Sequence, residues 1–141
     1  MIGDSLPAAC GKDLNGSYGT LPGTDSPGAD KFDGLATAAG FKPGPYAPQP
    51  YDAAALMILA MQASSSSDSI KFKTKITDVA NAPGEKIYPG ELAKALKILA
   101  SGGDVDYVGA TDVELIGPGE SAGSFKEVVV KDQKITTVRY R

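Results

Sequence analysis

The sequence predicts an α/β fold in which helices are more numerous than the strands available to them. Three observations support this. One short strand-like segment lies near residue 20, four segments with helical spacing follow, and three or four strand-like segments come last. Because the helices of an α/β protein cover a sheet, a single preceding strand is too little for four partly apolar helices. We therefore expect the four helices to need more strands than this chain contains.

Length and composition place the chain among ordinary globular proteins. Its 141 residues suffice for one domain, and 42% hydrophobic with 22% charged residues is a globular balance. The net charge is −3, without a basic stripe interleaved with aromatics, which argues against a nucleic-acid partner. The longest apolar run, Ala53 to Met61, is too short to span a membrane, and residues 1–13 do not resemble a secretory signal.

Histidine is absent, and this absence restricts the available chemistry. Ser-His-Asp and Cys-His nucleophiles, His general bases and HExxH metal sites are all excluded. The single Cys10 has no second cysteine for an intramolecular disulfide or a CxxC site. We expect neither a metal nor a cofactor.

The first half of the chain alternates between loops and helices. Residues 5–28 are rich in Gly and Pro and predict loops around one short strand, "GSYGTL". Apolar spacing predicts a helix over 29–39, and the prolines of "FKPGPYAPQP" then exclude regular structure. The next helix, over 51–63, is apolar on nearly every side and must be covered on most of its faces.

The second half contains the clearest periodicities. A helix over 69–80, capped by Ser67 or Asp68, has its lysines on a solvated face, and residues 81–91 form a break. The spacing of Leu92, Ala95, Leu96 and Leu99 predicts a helix that stops at Gly102 and Gly103. The remaining segments predict strands: "VDYVG", "TDVELIG", "SFKEVVVKD" and "ITTVRYR", the last two joined as a hairpin around Asp132 and Gln133.

Three groups of residues are candidate sites. The Gly-Pro-Gly-Glu-like segments at 82–87 and 116–121 lack phosphate-loop spacing and are typical of turns. The carboxylates between Asp104 and Glu114 alternate as the polar faces of half-buried strands and lack calcium-loop spacing. Asp4, in "MIGDSL", follows a strand-like end, where a carboxylate can point into a cleft and pair with a ligand ammonium.

Three segments carry a family resemblance: "PQPYDAAALMILAMQ", "GELAKALKILASGGDVDYVGATDVEL" and "GSFKEVVVKDQKITTVRY". They resemble the C-terminal part of periplasmic substrate-binding proteins of ABC transporters, in the branched-chain amino-acid and amide-binding branch. The shared features are a Tyr-Asp-Ala helix, a helix ending in a Gly pair, a Tyr-x-Gly-Ala turn and a final β-hairpin. Two departures are "ELIGPGESAGS", where the family has a different pattern, and Gln133 in place of a turn glycine.

The resemblance implies a partial type 1 periplasmic-binding-protein fold, with portions of two Rossmann-like lobes joined by hinge crossings. Residues 1–21 would be the end of the second lobe and the first hinge crossing, and 22–112 the C-terminal part of the first lobe. Residues 113–141 would be the hinge return and the final hairpin of the second lobe. The implied hinge residues are Thr20, Leu21, Pro22, Gly117, Pro118 and Gly119.

The resemblance also implies a function without catalysis. Asp4 matches the acidic residue that pairs with the ligand amino group, and Ser5 and Tyr18 would line the cleft. The expected partners are a small-molecule amino acid or amide and an ABC transporter permease, and the expected location is the periplasm. Because the helix over 51–63 needs cover, we also expect self-association or a missing N-terminal half.

Two other classes of function stay open at this point. A ligand-sensing or protein-interaction module can have the same bilobal fold without a transport role. A small enzyme is the third class, although the sequence has no histidine, metal motif or nucleotide loop to support one.

Overall fold

The computed structural model describes residues 5–117 and 119–141. The helices are α1 (Ser5–Cys10), α2 (Pro27–Ala38), α3 (Pro48–Ser64), α4 (Ser69–Phe72), α5 (Ile76–Ala80) and α6 (Leu92–Ala100). The strands are β1 (Tyr18–Pro22), β2 (Glu85–Ile87), β3 (Val105–Tyr107), β4 (Leu115–Gly117), β5 (Glu120–Ser121), β6 (Phe125–Lys131) and β7 (Lys134–Tyr140). Short 3₁₀ turns occupy Gly11–Leu14 and Lys73–Lys75. This mixture of helices and strands confirms the α/β class.

The chain divides into two compact units. The first unit joins the segment that ends at Asp25 to Gly123–Arg141, and the second unit is Ser26–Ala122. The chain therefore passes from one unit to the other after Asp25 and returns after Ala122. The predicted assignment of residues 1–21, 22–112 and 113–141 to two lobes stays a prediction.

The first unit is built on a three-stranded antiparallel sheet with β6 in the centre. The register pairs Tyr18 with Val129 across β1 and β6, while a bulge between Glu127 and Val128 interrupts the pairing with β7. Its buried side chains are Pro7, Leu21, Val128 and Val130. Alternation along β6 places Val128 and Val130 on one face of the sheet, as expected for a strand with one covered side.

A helix opens the first unit where the sequence predicted only loops. In α1, Pro7 lies in the first turn, where its missing N–H costs no intrahelical hydrogen bond. Ala8 and Ala9 then favour helix. The high content of Gly and Pro over 5–28 concealed a helix of only six residues.

An ion cluster fixes β7 to β6 on the surface of this unit. Glu127 accepts a hydrogen bond from Arg139 Nε at 2.6 Å and another from Arg141 Nε. The hydrogen bond from Arg139 and the positive charge beside it lower the pKa of Glu127. Because these side chains are in contact with solvent, the cluster aligns the hairpin more than it stabilises the fold.

The second unit has α3 at its centre. The buried face of α3 packs against α5 and α6 and against the parallel pair β2–β3, which α6 connects. This β2–α6–β3 arrangement is a βαβ unit. The core consists of Ala55, Leu56, Leu59 and Ala60 with Val79, Ala80, Ile87, Ala95, Val105, Tyr107 and Val113.

Several elements of this unit differ from the prediction. Strand β2 lies in the segment 81–91 that was expected to be a break, and its three residues are too few to show alternation. The helix over 69–80 is divided into α4 and α5 by a 3₁₀ turn, although Asp68 caps it as predicted, accepting from Ile70 N at 2.9 Å. Helix α3 begins at Pro48 because prolines fit the first turn of a helix.

The last helix and the last hairpin agree with the prediction. Helix α6 ends at Ala100, and Gly102 follows with a φ of +81°. The β6–β7 turn has positive φ at both central residues, +50° at Asp132 and +63° at Gln133. This is the geometry of a type I′ turn, which matches the right-handed twist of the two strands.

Replacing Gln133 by glycine should stabilise the hairpin. A side chain in the left-handed region costs about 1–2 kcal/mol, and the greater freedom of glycine in the unfolded chain offsets about 0.5–1 kcal/mol of the gain. We expect Gln133→Gly to raise the free energy of unfolding by about 0.5 kcal/mol, measured by urea titration on the amide signals of β6 and β7. Gln133→Ala keeps Cβ and is the control; an equal gain in that variant would contradict the backbone explanation.

Candidate functional site

The residues predicted to bind a ligand lie at the beginning of the first unit. Asp4 is outside the described residues. Ser5 is the exposed first residue of α1, and Tyr18 is the first residue of β1, with 71% of its surface exposed. Among the described residues, no hydrogen bond joins Ser5 to Tyr18. Their roles in ligand binding stay predictions.

The first group of predicted hinge residues lies inside a strand. Thr20, Leu21 and Pro22 pair with Glu127, Lys126 and Phe125 of β6, and Leu21 is buried. Beyond them, Gly23 N–H donates to Ser124 O at 3.1 Å. This hydrogen bond joins the two segments of the first unit close to their ends at Asp25 and Gly123.

The second group of predicted hinge residues lies at a small hairpin of the second unit. Gly117 ends β4, Gly119 follows in the turn with a φ of +82°, and Pro118 is outside the described residues. The side chain of Asn81 fixes this hairpin to the end of α5. It accepts from Leu115 N at 3.0 Å and donates to Leu115 O at 2.9 Å, as a neighbouring strand would. Whether either group acts as a hinge stays a prediction.

A buried carboxylate that sequence reasoning did not identify organises the second unit. Asp52 lies on α3 with only 3% of its surface exposed. Oδ1 accepts hydrogen bonds from Tyr107 Oη and Ala110 N, both at 2.9 Å. Oδ2 accepts from Thr111 N at 2.8 Å and Thr111 Oγ1 at 2.7 Å. Both oxygens are thus satisfied by dipoles, as a buried carboxylate requires.

Two glycines, one in the turn that Asp52 holds and one in α2, lie at contacts too close for a side chain. A Cβ on Gly109, whose φ is +63°, would lie 2.5 Å from Asp52 Oδ1. A Cβ on Gly28 of α2 would lie 1.9 Å from Gly109 O. The first turn of α2 therefore contacts the turn at 108–111 directly, and glycine is required on both sides of this contact.

The phenol of Tyr107 completes the arrangement. Its burial, followed by the nearby charge of Asp52, raises the pKa of Tyr107 well above its ordinary value. The phenol therefore stays protonated and remains a donor to Asp52 at any physiological pH. Because both Asp52 oxygens are already occupied, this cluster positions the backbone and is not itself free to bind a ligand.

A second set of contacts fixes the turn after β2. Lys31 Nζ pairs with Glu91 Oε1 at 3.3 Å and lies 4.4 Å from the centre of the Tyr88 ring. Glu91 Oε2 accepts from Tyr88 N at 2.9 Å, and this bond, reinforced by Lys31, lowers the pKa of Glu91. Gly90 N–H donates to Tyr51 Oη at 3.2 Å.

Both turns lie at the carboxyl ends of the parallel strands β2 and β3. We call residues 88–91 and 108–111 the carboxyl-end rim. In open α/β sheets, ligands bind outside the carboxyl ends of the strands, so a rim held by buried and paired side chains is a preformed position for a binding surface. The rim is the candidate functional site that the geometry of the second unit supports.

The sequence contained a signal for this rim. Asp52 is the one charged residue of α3, in a helix that is otherwise nearly all apolar. If the Asp52 face of the helix is buried, neighbouring elements must supply hydrogen-bond donors to that carboxylate. The Tyr-Asp-Ala and Tyr-x-Gly-Ala segments, recognised separately in the sequence, are the two halves of this interaction.

Comparisons with known proteins identify the class of fold. No protein-family model matches the sequence, and no curated protein matches it. The structure is similar to that of a leucine-binding protein, LivK, from Thermotoga maritima, with 18% sequence identity and a TM-score of 0.65. The match covers 97% of this chain and 34% of that chain. The chain therefore has part of a type 1 periplasmic-binding fold and spans about a third of the length of the protein it matches.

Changing Asp52 should destabilise the second unit more than removing its phenol partner. Asp52→Asn places an amide NH₂ against N–H donors, so we expect a loss of about 2–3 kcal/mol in the free energy of unfolding, whereas Tyr107→Phe removes one hydrogen bond and costs about 1 kcal/mol. Thermal and urea unfolding measure both values. Asp33→Asn, the same change at an exposed position of α2, is the control. If Asp52→Asn is as stable as this control, the carboxylate does not hold the rim.

Proposed function

We propose that the chain is the C-terminal part of the solute-binding component of an ABC transporter for amino acids, with branched-chain amino acids or amides as ligands. The observation that carries the proposal is the similarity in fold to a leucine-binding protein over 97% of the chain. The Tyr-Asp-Ala and Tyr-x-Gly-Ala segments add to it, because they interact in the structure. The proposed location is the periplasm, and the proposed protein partner is the transporter permease. Among the described residues, no helix is long and apolar enough to cross a bilayer.

The proposed mechanism is capture without a chemical step. The ligand ammonium pairs with the carboxylate of Asp4, and Ser5 and Tyr18 line the same cleft of the complete bilobal fold. A charge-assisted hydrogen bond to the carboxylate provides orientation, and the apolar part of the ligand is removed from water. Ligand binding then shifts the population from an open to a closed arrangement of the lobes. No bond is made or broken, so the proposed protein is not an enzyme and needs no cofactor.

A sensing or protein-interaction module of the same fold is the second candidate. The observation that favours it is the large apolar exposure on α3, where 44% of the surface of Met57 and 42% of that of Ile58 are accessible. Exposed apolar patches of this kind mark protein interaction sites. Binding of a protein without any response to amino acids would favour this candidate over transport.

The test uses ligands that separate the two charged groups of leucine. The proposal places the ammonium partner, Asp4, in this chain, whereas the family resemblance puts the carboxylate-binding groups in a part of the family fold that these 141 residues do not match. The intact chain should therefore bind leucine and 3-methylbutylamine with similar, weak dissociation constants of about a millimolar. It should not bind 4-methylpentanoate, which lacks the ammonium. Chemical-shift titration by NMR measures all three.

A matched pair of variants controls this titration. Asp4→Asn should weaken the binding of leucine and the amine by about tenfold, while Asp13→Asn, at an exposed position of the same unit, should leave it unchanged. Binding of the acid instead of the amine would refute the role of Asp4. Absence of any amine or amino-acid response at high ligand concentration would refute the proposed function for this chain.

A further inference from the structure

The chain has two asparagines, and they use their side-chain amides differently. In the second unit, Nδ2 of Asn81 donates to Glu114 Oε1 at 3.2 Å and to Leu115 O at 2.9 Å, and its Oδ1 accepts from Leu115 N. In the first unit, Asn15 is exposed, and its Oδ1 accepts from Gln133 N at 3.2 Å. Within the described part of the chain, Nδ2 of Asn15 makes no hydrogen bond. The Asn15 amide nitrogen is therefore open to another molecule.

Asn15 also begins an acceptor pattern. Residues 15–17 read Asn-Gly-Ser, which is Asn-x-Ser with a residue other than proline in the middle. This is the acceptor sequence for N-linked glycosylation, a modification of exposed segments in proteins outside the cytoplasm. The sequence at Asn81, Asn-Ala-Pro, does not have this pattern. Because three residues can match by chance, the geometry of the segment decides whether it can serve as an acceptor.

The acceptor segment forms a turn on the surface of the first unit. Asn15 has φ and ψ of −59° and 130°, and Gly16 follows with a φ of +88°. Ser17 N–H donates to Leu14 O at 3.0 Å and closes a type II turn, in which glycine is favoured at the third position. Asn15 and Gly16 are exposed. The turn therefore presents the Asn15 amide to solvent beside a residue that has no side chain.

Two neighbouring side chains are also available to a transferase. Ser17 O accepts from Val130 N at 2.9 Å, whereas the hydroxyl Oγ of Ser17 has no hydrogen-bond partner within the described ranges. This hydroxyl is the group that an Asn-x-Ser acceptor requires. Asp13, two residues before Asn15, is exposed, so its carboxylate can pair with a cationic group of the enzyme.

The turn lies at one end of the sheet of the first unit. Asn15 contacts the β6–β7 turn through Gln133. The opposite end of β1 is followed by the hydrogen bond between Gly23 and Ser124, near the limits of the two segments of this unit. A group attached to Asn15 is therefore at the end of β1 that is remote from the passages to the second unit.

We propose that Asn15 is an N-glycosylation site, modified by an oligosaccharyltransferase with a polyprenyl-diphosphate oligosaccharide as the sugar donor. Nδ2 of Asn15 forms a bond to the anomeric carbon of the first sugar, and the bond from that carbon to the diphosphate oxygen breaks. The polyprenyl diphosphate leaves with the electron pair of that bond, and one amide proton is released. Oδ1 is not consumed, so the hydrogen bond from Gln133 N remains.

The experiment treats the purified full chain of 141 residues with a bacterial oligosaccharyltransferase and a lipid-linked oligosaccharide. We expect one glycan per chain by intact-mass spectrometry, located at Asn15 by peptide mapping. Ser17→Ala removes the free hydroxyl and should abolish transfer, whereas Ser17→Thr retains a hydroxyl and should retain transfer. Asp13→Asn should slow transfer about tenfold. The amide NMR signals of β1 and β6 report whether each variant keeps the sheet.

The proposal shares with the proposed function a location outside the cytoplasm, and it needs neither Asp4 nor a ligand. Glycan transfer is measured by mass and amino-acid binding by titration, so the two can fail separately. Transfer without any amino-acid response would refute the proposed function and support the glycosylation site. An amino-acid response without transfer would do the reverse.

A synthetic peptide of residues 11–19 is the positive control for the transferase. Transfer to this peptide but not to the full chain would overturn the proposal, because the folded turn would then hide its acceptor. The proposal is also wrong if Ser17→Ala leaves transfer unchanged, or if the glycan maps to another residue.

Discussion

The second unit depends on one buried carboxylate. Asp52 connects the central helix α3 to the turn that follows β3 through four donor groups, two of them backbone amides. A carboxylate without counter-charge is stable in such a place only when its oxygens are fully hydrogen-bonded. Gly109 and Gly28 have no side chain, and this allows the turn to lie against both the carboxylate and α2. Sheet, turn and two helices are thereby fixed by a single side chain.

The outer side of α3 differs from its inner side, which faces the carboxyl-end rim. Asp52, Leu59 and Ala60 of α3 are buried, while Met57 and Ile58 are in contact with solvent. An α/β layer is stable when each helix covers a sheet and each sheet face is covered. The second unit meets this condition on the inner side of α3 only. The carboxyl-end rim is therefore held by contacts within the second unit, whereas the outer side of α3 presents apolar side chains to solvent.

Sequence periodicity predicted the elements that are long enough to show it. Helix α6, the buried α3 and the β6–β7 hairpin have apolar spacing over seven or more residues, and the turn at Asp132 and Gln133 was located correctly. Strand β2 and helix α1 have three and six residues, which is too short for a period, and flanking Gly and Pro indicated loops instead. The rim was missed because its key contact joins Asp52 to residues more than fifty positions away, a separation that no local pattern reveals. Asp4 is predicted from its place after a strand-like end and from the family resemblance, Ser5 and Tyr18 are predicted from the resemblance, and all three stay predictions.

The first unit is assembled from two segments that are distant in the sequence, and this has a consequence for the order of biosynthesis. Among the described residues, the strand that pairs with β1 is β6, with Tyr18 opposite Val129. The intervening second unit is continuous and emerges from the ribosome earlier. Local contacts form before distant ones, because closing a long loop costs conformational entropy before the distant contacts can form and offset it. During translation, the second unit can therefore fold before β1 meets β6, and the sheet of the first unit forms last.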